Sequence, residues 1–168
     1  MEVLLCRSLL GGKVMIESIK SLLPQRRAAH LELGERGERV ALSYLKDLEG
    51  YRIVAMNFRV SVGRGLSGKK ITAEIDIIAY DGETLVFIEV KTRTSREMIA
   101  PETAVDLRKK RQIARAARCY RRLMSVAREP FRYDVVTVIP QAAGYRVELL
   151  RGYFDDRVFR RSRYFRDE

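Results

Sequence analysis

The sequence predicts a single α/β domain in which a mixed β-sheet lies between helices. Two helical patterns alternate with five runs rich in β-branched and aromatic residues, at 51–60, 71–80, 83–91, 131–140 and 145–150. Asp81-Gly82 separates two of these runs, which is typical of a β-hairpin. The length of 168 residues is sufficient for one domain with its own core. The predicted element order is α-β-β-β-α-β-β.

Composition divides the chain into an N-terminal extension (1–30), the α/β domain (31–150) and a C-terminal tail (151–168) in which aromatic and arginine residues mix. No run approaches the ~20 apolar residues of a membrane span, so we expect no membrane partner. Cys6 and Cys119 form neither a disulfide framework nor a Cys-x-x-Cys metal pair. A reducing, cytoplasmic compartment is therefore expected.

The first helical pattern covers 28–48. Gly34, Gly37, Ala41 and Leu45 recur at spacings of three and four, and the small residues among them predict close packing against the sheet. Glu38 falls at the edge of this stripe, where its side chain can point along the sheet. On this stretch alone, an ordinary polar helix flank is the favoured interpretation.

The predicted hairpin at 71–91 carries the most unusual charge pattern. With Asp81-Gly82 as a two-residue loop, Tyr80 pairs with Glu83, Ile78 with Leu85, and Asp76 with Phe87. One face then carries Glu74, Asp76, Glu89 and Lys91, and the opposite face carries Ile75, Ile77, Val86, Ile88 and Val90. Three carboxylates beside apolar neighbours repel one another, and one lysine offsets only one of them. A divalent cation is expected there; a solvated face of glutamate and lysine pairs is the alternative.

Basic residues dominate the rest of the charge, with 33 lysines and arginines against 22 acids and a net charge of +11. A long helix is predicted over 104–128, with Thr103 and Asp106 resembling a capping box. Its apolar stripe is Ile113, Ala117, Tyr120, Met124 and Ala127, and the opposite side carries Arg108, Arg111, Arg115, Arg118 and Arg122. Five arginines without interleaved acids favour a phosphate-binding surface over a plain solvated face. Lys109 and Lys110 lie nearer the buried side.

Two further segments complete the pattern. The loop at 61–70, with Arg64, Lys69 and Lys70, is either a basic loop over a nucleic-acid groove or a plain hairpin connection. The near-continuous β-branched run at 131–140 predicts a strand covered on both faces. Because it follows a helical crossover, parallel pairing with a neighbouring strand is favoured.

A helix-borne glutamate, then aspartate on one strand and Glu-x-Lys on the next, resembles the PD-(D/E)XK nuclease superfamily. More closely, the chain resembles the YraN-like family of uncharacterised endonuclease-like proteins, which are related to Holliday junction resolvases. The matching segments, in order, are Gly34-x-x-Gly37-Glu38, Tyr44-Leu45, Gly50-Tyr51-Arg52-Ile53, Asn57-Phe58-Arg59, Glu74-Ile75-Asp76-Ile77-Ile78-Ala79, Leu85 to Arg93, Ala104-Val105, Lys109 or Lys110, and Tyr133-Asp134-Val135-Val136. The chain departs from the family at Ala73, where glycine is usual, and in a longer loop before it.

The resemblance implies a restriction-endonuclease-like core and metal-dependent hydrolysis of DNA, with endonucleolytic cleavage of branched or structured substrates. Asp76, Glu89, the Val90 carbonyl and Glu38 are the implied ligands of Mg²⁺ or Mn²⁺. Lys91 would orient the attacking water or stabilise charge, and Glu74 would support a ligand. Homodimerisation is expected by analogy with resolvases.

One alternative from a different functional class is a nucleic-acid-binding module that keeps the fold but does not cleave. The four residues Glu38, Asp76, Glu89 and Lys91 favour the enzyme, because binding alone has no use for carboxylates near phosphates. The single histidine, His30, leaves little scope for a histidine-rich metal site or for Ser-His-Asp chemistry.

Overall fold

The computed structural model describes residues 31–65, 67–93 and 105–159. The predicted N-terminal extension, Thr103 of the predicted capping box and the last nine residues of the predicted tail lie outside these ranges. The described part of helix α1 covers 31–43 and continues into a π-helical turn, Tyr44–Leu48. The other elements are β1 (Arg52–Arg64), β2 (Lys70–Asp81), β3 (Thr84–Thr92), α2 (Leu107–Leu123), β4 (Phe131–Gln141), β5 (Gly144–Phe154) and a 3₁₀ turn (Asp156–Phe159).

The five strands form one mixed sheet in the order β1-β2-β3-β4-β5. β1 with β2, β2 with β3, and β4 with β5 pair in antiparallel fashion, whereas β3 and β4 are parallel. The parallel pair results from the helical crossover through α2, as predicted. Residues 133–138 of β4 are all buried, which confirms the strand covered on both faces. The predicted α-β-β-β-α-β-β order and mixed α/β class are therefore confirmed.

Helices cover the two faces of the sheet with separate apolar clusters. On the α2 side, Ile113 and Tyr120 pack with Ile78, Phe87 and Val135. On the α1 side, the cluster contains Ala41, Leu45, Ile77, Ile88 and Val136. Each helix therefore buries one stripe against the central strands β2, β3 and β4, and the edges of these layers are where polar side chains approach the sheet.

The predicted register of the β2–β3 hairpin is wrong by two residues. Tyr80 pairs with Leu85 and Ile78 pairs with Phe87, so the two-residue loop is Gly82-Glu83 rather than Asp81-Gly82. Gly82 has φ of 57° and stands at the first central position, which is where a type II′ turn requires glycine. The shift by two keeps every side chain on its predicted face of β3 but moves Asp76 opposite Glu89.

The predicted alternation along β2 also fails at one point. Ile75 and Ile78, three residues apart, both belong to the α2-side cluster, whereas Ile77 belongs to the α1-side cluster. Ile75 and Ile77 were expected on one face. The alternation of side chains between the two faces is interrupted at the same level of β1, where Asn57 adopts a left-handed φ of 51°. Because the interruption occurs in both strands, β1 and β2 remain paired on either side of Asn57 and Asp76.

Several element ends differ from the sequence prediction. β1 and β2 extend to Arg64 and from Lys70, so most of the expected loop at 61–70 belongs to a long hairpin. α2 begins after Asp106, whose side chain accepts a hydrogen bond from the Lys109 amide at 2.8 Å, and ends at Leu123 rather than Arg128. β5 continues through Phe154, which places the first residues of the expected tail in the sheet.

None of the helices in the described ranges has the length and apolar character needed to cross a membrane.

Candidate active site

The candidate active site lies where β2 and β3 separate. Their pairing ends at Ile77 and Ile88, and Asp76 and Glu89 are the next residues along the two strands. Asp76 Oδ2 accepts a hydrogen bond from the Val90 amide at 2.7 Å, which holds this carboxylate against the backbone of β3. The predicted convergence of Asp76 and Glu89 thus arises because these residues lie opposite each other, and not from the diagonal neighbour relation that the predicted register implied.

Glu89 is a buried carboxylate that faces two lysines. Its side chain is 2% exposed, and its Oε1 atom lies 2.8 Å from Lys91 Nζ and 3.0 Å from Lys109 Nζ. Lys91 comes from the same strand, whereas Lys109 reaches in from the first turn of α2. The other oxygen, Oε2, is buried and has no hydrogen-bond partner among the described residues. Glu89 therefore keeps one oxygen that can accept a further cation or donor.

A second buried carboxylate, Asp134, shows how unusual this orphaned oxygen is. Asp134 is fully buried on β4, where it pairs with Ile88, the neighbour of Glu89 on β3. Its Oδ1 accepts from Arg132 Nε at 3.0 Å and from the Gly152 amide at 2.8 Å, and its Oδ2 accepts from Arg132 Nε and the Tyr51 hydroxyl. A carboxylate buried for structural reasons is thus satisfied at both oxygens in this fold, whereas Glu89 is not.

Electrostatics at the site disfavour two ionised carboxylates. Burial and the charge of Glu89 raise the pKa of Asp76 to about 7, against the lowering effects of the Val90 amide and Lys109. Burial and the negative charge of Glu74 raise the pKa of Glu38, whereas a hydrogen bond with Asn57 lowers it. Such raised carboxylate pKa values are typical of functional sites.

Helix α1 brings Glu38 to the site, as its position at the stripe edge predicted. Glu38, Val90 and Lys91 line a cleft of about 200 Å³, together with Leu33, Gly34 and Thr92. The close approach depends on Gly37, because a Cβ atom there would lie 1.8 Å from the Thr92 hydroxyl oxygen. The predicted close approach through small residues is therefore confirmed at Gly37. It is wrong at Gly34, where an added Cβ atom would meet no heavy atom within 4 Å.

Asn57 is a site residue that the sequence analysis included in a family-matching segment, Asn57-Phe58-Arg59, without assigning it to the site. Its side chain hydrogen-bonds Glu38, and its φ of 51° lies where non-glycine residues are uncommon and asparagine is enriched. The interruption of side-chain alternation that follows from this conformation occurs beside Asp76. The signals available in the sequence were that matching segment and an asparagine inside a run of strand-forming residues.

Glu74, which was expected to support a metal ligand, forms an ion pair with Arg59 at 2.9 Å. Its contribution to the described site is electrostatic, because its charge acts on Glu38 and on Lys109. Glu74 lies on the part of β2 that extends beyond its pairing with β3.

The oxygen atoms at the site fit a hard divalent cation, but Glu38 does not complete the predicted set of ligands. Asp76, Glu89 and the Val90 carbonyl are oxygen donors, and Mg²⁺ commonly uses one or two carboxylates together with waters. The orphaned Oε2 of Glu89 suits this role. However, within the described ranges no group of three or more histidine, cysteine, aspartate or glutamate side chains is close enough to hold a metal. Glu38 is therefore not part of a preformed three-carboxylate cluster with Asp76 and Glu89. In addition, the charge of Glu89 is neutralised by Lys91 and Lys109.

The predicted arginine stripe of α2 divides into two lines of residues seven apart. In the first line, Arg111 donates to the Val158 carbonyl at 2.8 Å, and Arg118 pairs with Asp156 at 2.8 Å and lies over the Phe159 ring. These contacts hold the 3₁₀ turn against the helix. The second line, Arg108, Arg115 and Arg122, is exposed. It continues from the first turn of α2, where Lys109 reaches the site.

The remaining predicted nucleic-acid contacts lie in two places. Lys110 Nζ lies 4.5 Å from the centre of the Tyr153 ring, so this lysine packs against β5 rather than reaching Glu89. Arg64, Lys69 and Lys70 are exposed at the tip of the β1–β2 hairpin, where Arg64 donates to the Gly68 carbonyl at 3.2 Å.

Comparison with known proteins identifies the family. Residues 37–138 match the uncharacterised protein family UPF0102. A UPF0102 protein of Solibacter usitatus is 41% identical over 121 residues, which cover 72% of this chain and 84% of the relative. A UPF0102 protein of Koribacter versatilis is 36% identical over 143 residues, or 84% of this chain and 93% of the relative. A UPF0102 protein of Symbiobacterium thermophilum is 41% identical over 123 residues, which cover 73% of this chain and 95% of the relative. The chain therefore belongs to the UPF0102 family, the YraN-like group that its motifs resemble.

Proposed function

We propose that this protein is a metal-dependent nuclease that hydrolyses phosphodiester bonds in DNA, acting endonucleolytically on branched or structured substrates. One observation carries the proposal: Asp76 and the buried, half-unsatisfied Glu89 converge with Lys91 where β2 and β3 separate. Carboxylates placed beside a basic surface repel the phosphates that the surface attracts, so they suit catalysis better than binding.

Asp76, Glu89 and the Val90 carbonyl would hold Mg²⁺ or Mn²⁺. A bound divalent ion of this kind lowers the pKa of a coordinated water and polarises a phosphoryl oxygen. The Val90 amide fixes the orientation of Asp76. The ammonium of Lys91 is positioned to stabilise negative charge on the scissile phosphate and to orient the attacking water. Glu38, with its raised pKa, borders the same cleft and can exchange a proton with water there.

DNA is the proposed partner because two exposed groups of basic residues lie on elements that also contribute to the site, α2 with Lys109 and the β1–β2 hairpin with Asp76. The line Arg108, Arg115 and Arg122 and the hairpin tip with Arg64, Lys69 and Lys70 carry positive charge without acidic neighbours in the same lines. Such surfaces bind phosphates by displacing counterions. We further propose that the protein acts in the cytoplasm and that a homodimer presents two sites to a branched substrate.

The test is a cleavage panel with linear, flapped and four-way DNA in the presence of Mg²⁺ or Mn²⁺. Wild type should cut at least one substrate, whereas Asp76→Asn and Glu89→Gln should be inactive. Both variants should still bind DNA, as tightly as wild type or more tightly in low metal, because removing a negative charge relieves repulsion of phosphate. Glu83→Gln, in the exposed hairpin turn, removes the same charge away from the site and should cleave normally.

A non-cleaving nucleic-acid-binding module is the second candidate function. The observation that favours it is the neutralisation of Glu89 by two lysines, without a three-carboxylate cluster among the described residues. Under this alternative, wild type binds DNA but cleaves none of the substrates with either ion, and Asp76→Asn binds as well as wild type. Cleavage that depends on Asp76 and Glu89 would exclude it.

A further inference from the structure

Lys109 occupies a position that ordinary phosphate binding does not explain. It lies on α2 next to the exposed arginines, yet its Nζ reaches 3.0 Å from Glu89 Oε1, on a side chain that is 2% exposed. Lys91 Nζ already lies 2.8 Å from the same oxygen. Two ammonium groups from different elements therefore share one carboxylate oxygen while the second oxygen has no described partner.

The charges closest to Glu89 balance without a metal ion. Asp76 and Glu89 contribute two negative charges when ionised, and Lys91 and Lys109 contribute two positive ones. Glu38, which borders the same cleft, adds one further negative charge when ionised, which is less than the charge of a divalent cation. Adding a divalent cation would leave an excess of positive charge in a partly buried site, where screening by water is weak. One ammonium must therefore move away from Glu89 when a divalent ion binds, or the ion binds weakly.

Lys109 is the lysine better placed to move. Lys91 lies two residues from Glu89 on the same strand, so its backbone keeps its side chain on the same face. Lys109 belongs to another element, so its backbone does not fix its side chain beside Glu89. The exposed fractions of the two lysines are similar, 28% for Lys109 and 33% for Lys91, so it is the position on α2 that distinguishes Lys109. Its immediate neighbour is the exposed Arg108, so a small movement of its long side chain would bring it to the phosphate-binding side of α2.

We propose that Lys109 is a displaceable counter-ion that holds Glu89 in the absence of metal and moves to a DNA phosphate when a divalent cation binds Glu89. The proposal rests on the proposed function, because it concerns the same carboxylate. It makes Lys109 a positioning residue that links metal binding to DNA binding. Because such coupling is reciprocal, metal should tighten DNA binding by the same factor by which DNA tightens metal binding.

The experiment compares Lys109→Met with Lys110→Met. Both variants lose one positive charge and keep an unbranched side chain on the same helical turn, but Lys110 lies against Tyr153 and away from Glu89. Calorimetry first measures Mn²⁺ binding without DNA. Fluorescence anisotropy then measures the affinity for a labelled four-way DNA with and without Ca²⁺, an oxygen-seeking cation used to limit turnover. The ratio of the two affinities is the coupling factor, and gel analysis verifies that the DNA stays intact.

We expect Lys109→Met to bind Mn²⁺ on the order of tenfold more tightly than wild type, because a competing cation has been removed from Glu89. Its coupling factor should fall several-fold, whereas Lys110→Met should keep the wild-type values of both quantities. Lys109→Arg, which retains the charge, should stay close to wild type in Mn²⁺ affinity. A merely structural role for Lys109 would not tighten metal binding.

Equal Mn²⁺ affinities for Lys109→Met and Lys110→Met would overturn the proposal, as would a wild type that binds no Mn²⁺. A coupling factor that is unchanged in Lys109→Met would overturn the transfer to phosphate. These results are separate from failure of the nuclease assignment, which appears as a wild type that binds metal and DNA but cuts no substrate. Melting curves of each variant establish that the compared proteins are folded.

Discussion

At the scale of single residues, Asp76 is a carboxylate whose ionisation opposes folding. Burial and the neighbouring Glu89 raise its pKa from 3.8 to about 7. The folded protein therefore binds a proton more tightly than the unfolded chain does. Stability contributed by this group is highest below pH 4 and declines as the pH rises toward 7, since the unfolded chain releases its proton first. A fold that keeps such a group sacrifices stability at neutral pH, which is common at functional sites.

Replacing Asp76 by Asn should stabilise the metal-free protein at pH 8. The amide oxygen can still accept the hydrogen bond from Val90, whereas the buried charge is gone. The melting temperature of Asp76→Asn should exceed that of wild type at pH 8, by roughly 2–4 °C for each kcal/mol gained in a protein of this size. The difference should shrink as the pH is lowered toward 4. Scanning calorimetry at several pH values measures it.

Adding Mn²⁺ should reverse the difference in melting temperature between Asp76→Asn and wild type. Mn²⁺ should raise the melting temperature of wild type at pH 8, because an ion that binds only the folded state stabilises it. Asp76→Asn lacks one of the proposed ligands and should respond little. If Asp76→Asn is less stable than wild type at pH 8 without metal, the buried charge of Asp76 does not destabilise the folded protein as argued.

At the scale of elements, the contact between α1 and β3 positions Glu38. Gly37→Ala would place a Cβ atom 1.8 Å from the Thr92 hydroxyl oxygen and 3.0 Å from Thr92 Cβ, so the helix or Thr92 must shift. We expect a loss of about 1–3 kcal/mol in the free energy of unfolding, as for other overpacked contacts. Urea denaturation measures this loss.

Gly34 on the same helix provides the control. A Cβ atom there meets no heavy atom within 4 Å. Gly34→Ala should therefore be neutral or should stabilise the protein by up to about 1 kcal/mol, because alanine favours helix more than glycine does. If Gly37→Ala is as stable as Gly34→Ala, the helix does not depend on this close approach.

Much of the site could be predicted from local pattern, because the side-chain period of a strand is two. A register error of two residues leaves Glu89 and Lys91 on the predicted face, so these site residues were predicted correctly although the turn was not. The turn itself was misjudged because Asp81-Gly82 suits a type I′ loop, whereas Gly82-Glu83 also satisfies the need for a positive φ. The interruption of side-chain alternation at Asn57 and Asp76 could not be predicted, because strand periodicity assumes strict alternation between the two faces.

The contact between Lys109 and Glu89 illustrates what local pattern does not contain. The two residues lie twenty positions apart and meet only because the crossover returns α2 along the open end of β3. Helical periodicity predicted that Lys109 lies near the buried side, and it predicted the same for Lys110. Tertiary packing separates them, since Lys110 meets Tyr153 of β5 instead.

At the scale of the whole molecule, the net charge of +11 is distributed between internal and external roles. Arg111 and Arg118 hold the 3₁₀ turn through Val158, Asp156 and Phe159. The exposed line Arg108, Arg115 and Arg122 presents its charge to solvent. Sequence periodicity grouped all five arginines into one phosphate-binding stripe, but the contacts of the first two indicate that they serve the fold.

The salt dependence of DNA binding should distinguish these two lines. Each phosphate contact contributes close to −0.9 to the slope of log K against log salt on duplex DNA. Replacing Arg108, Arg115 and Arg122 together by Gln should flatten the slope by up to about 3 units and leave the melting temperature near that of wild type. Replacing Arg111 and Arg118 by Gln should instead lower the melting temperature, because the 3₁₀ turn loses its partners, with a smaller effect on the slope. Binding isotherms on a linear duplex at four salt concentrations, with melting curves of the same proteins, measure both quantities. If the triple variant keeps the wild-type slope, the exposed line does not face phosphate, and the hairpin tip with Arg64, Lys69 and Lys70 becomes the principal DNA contact.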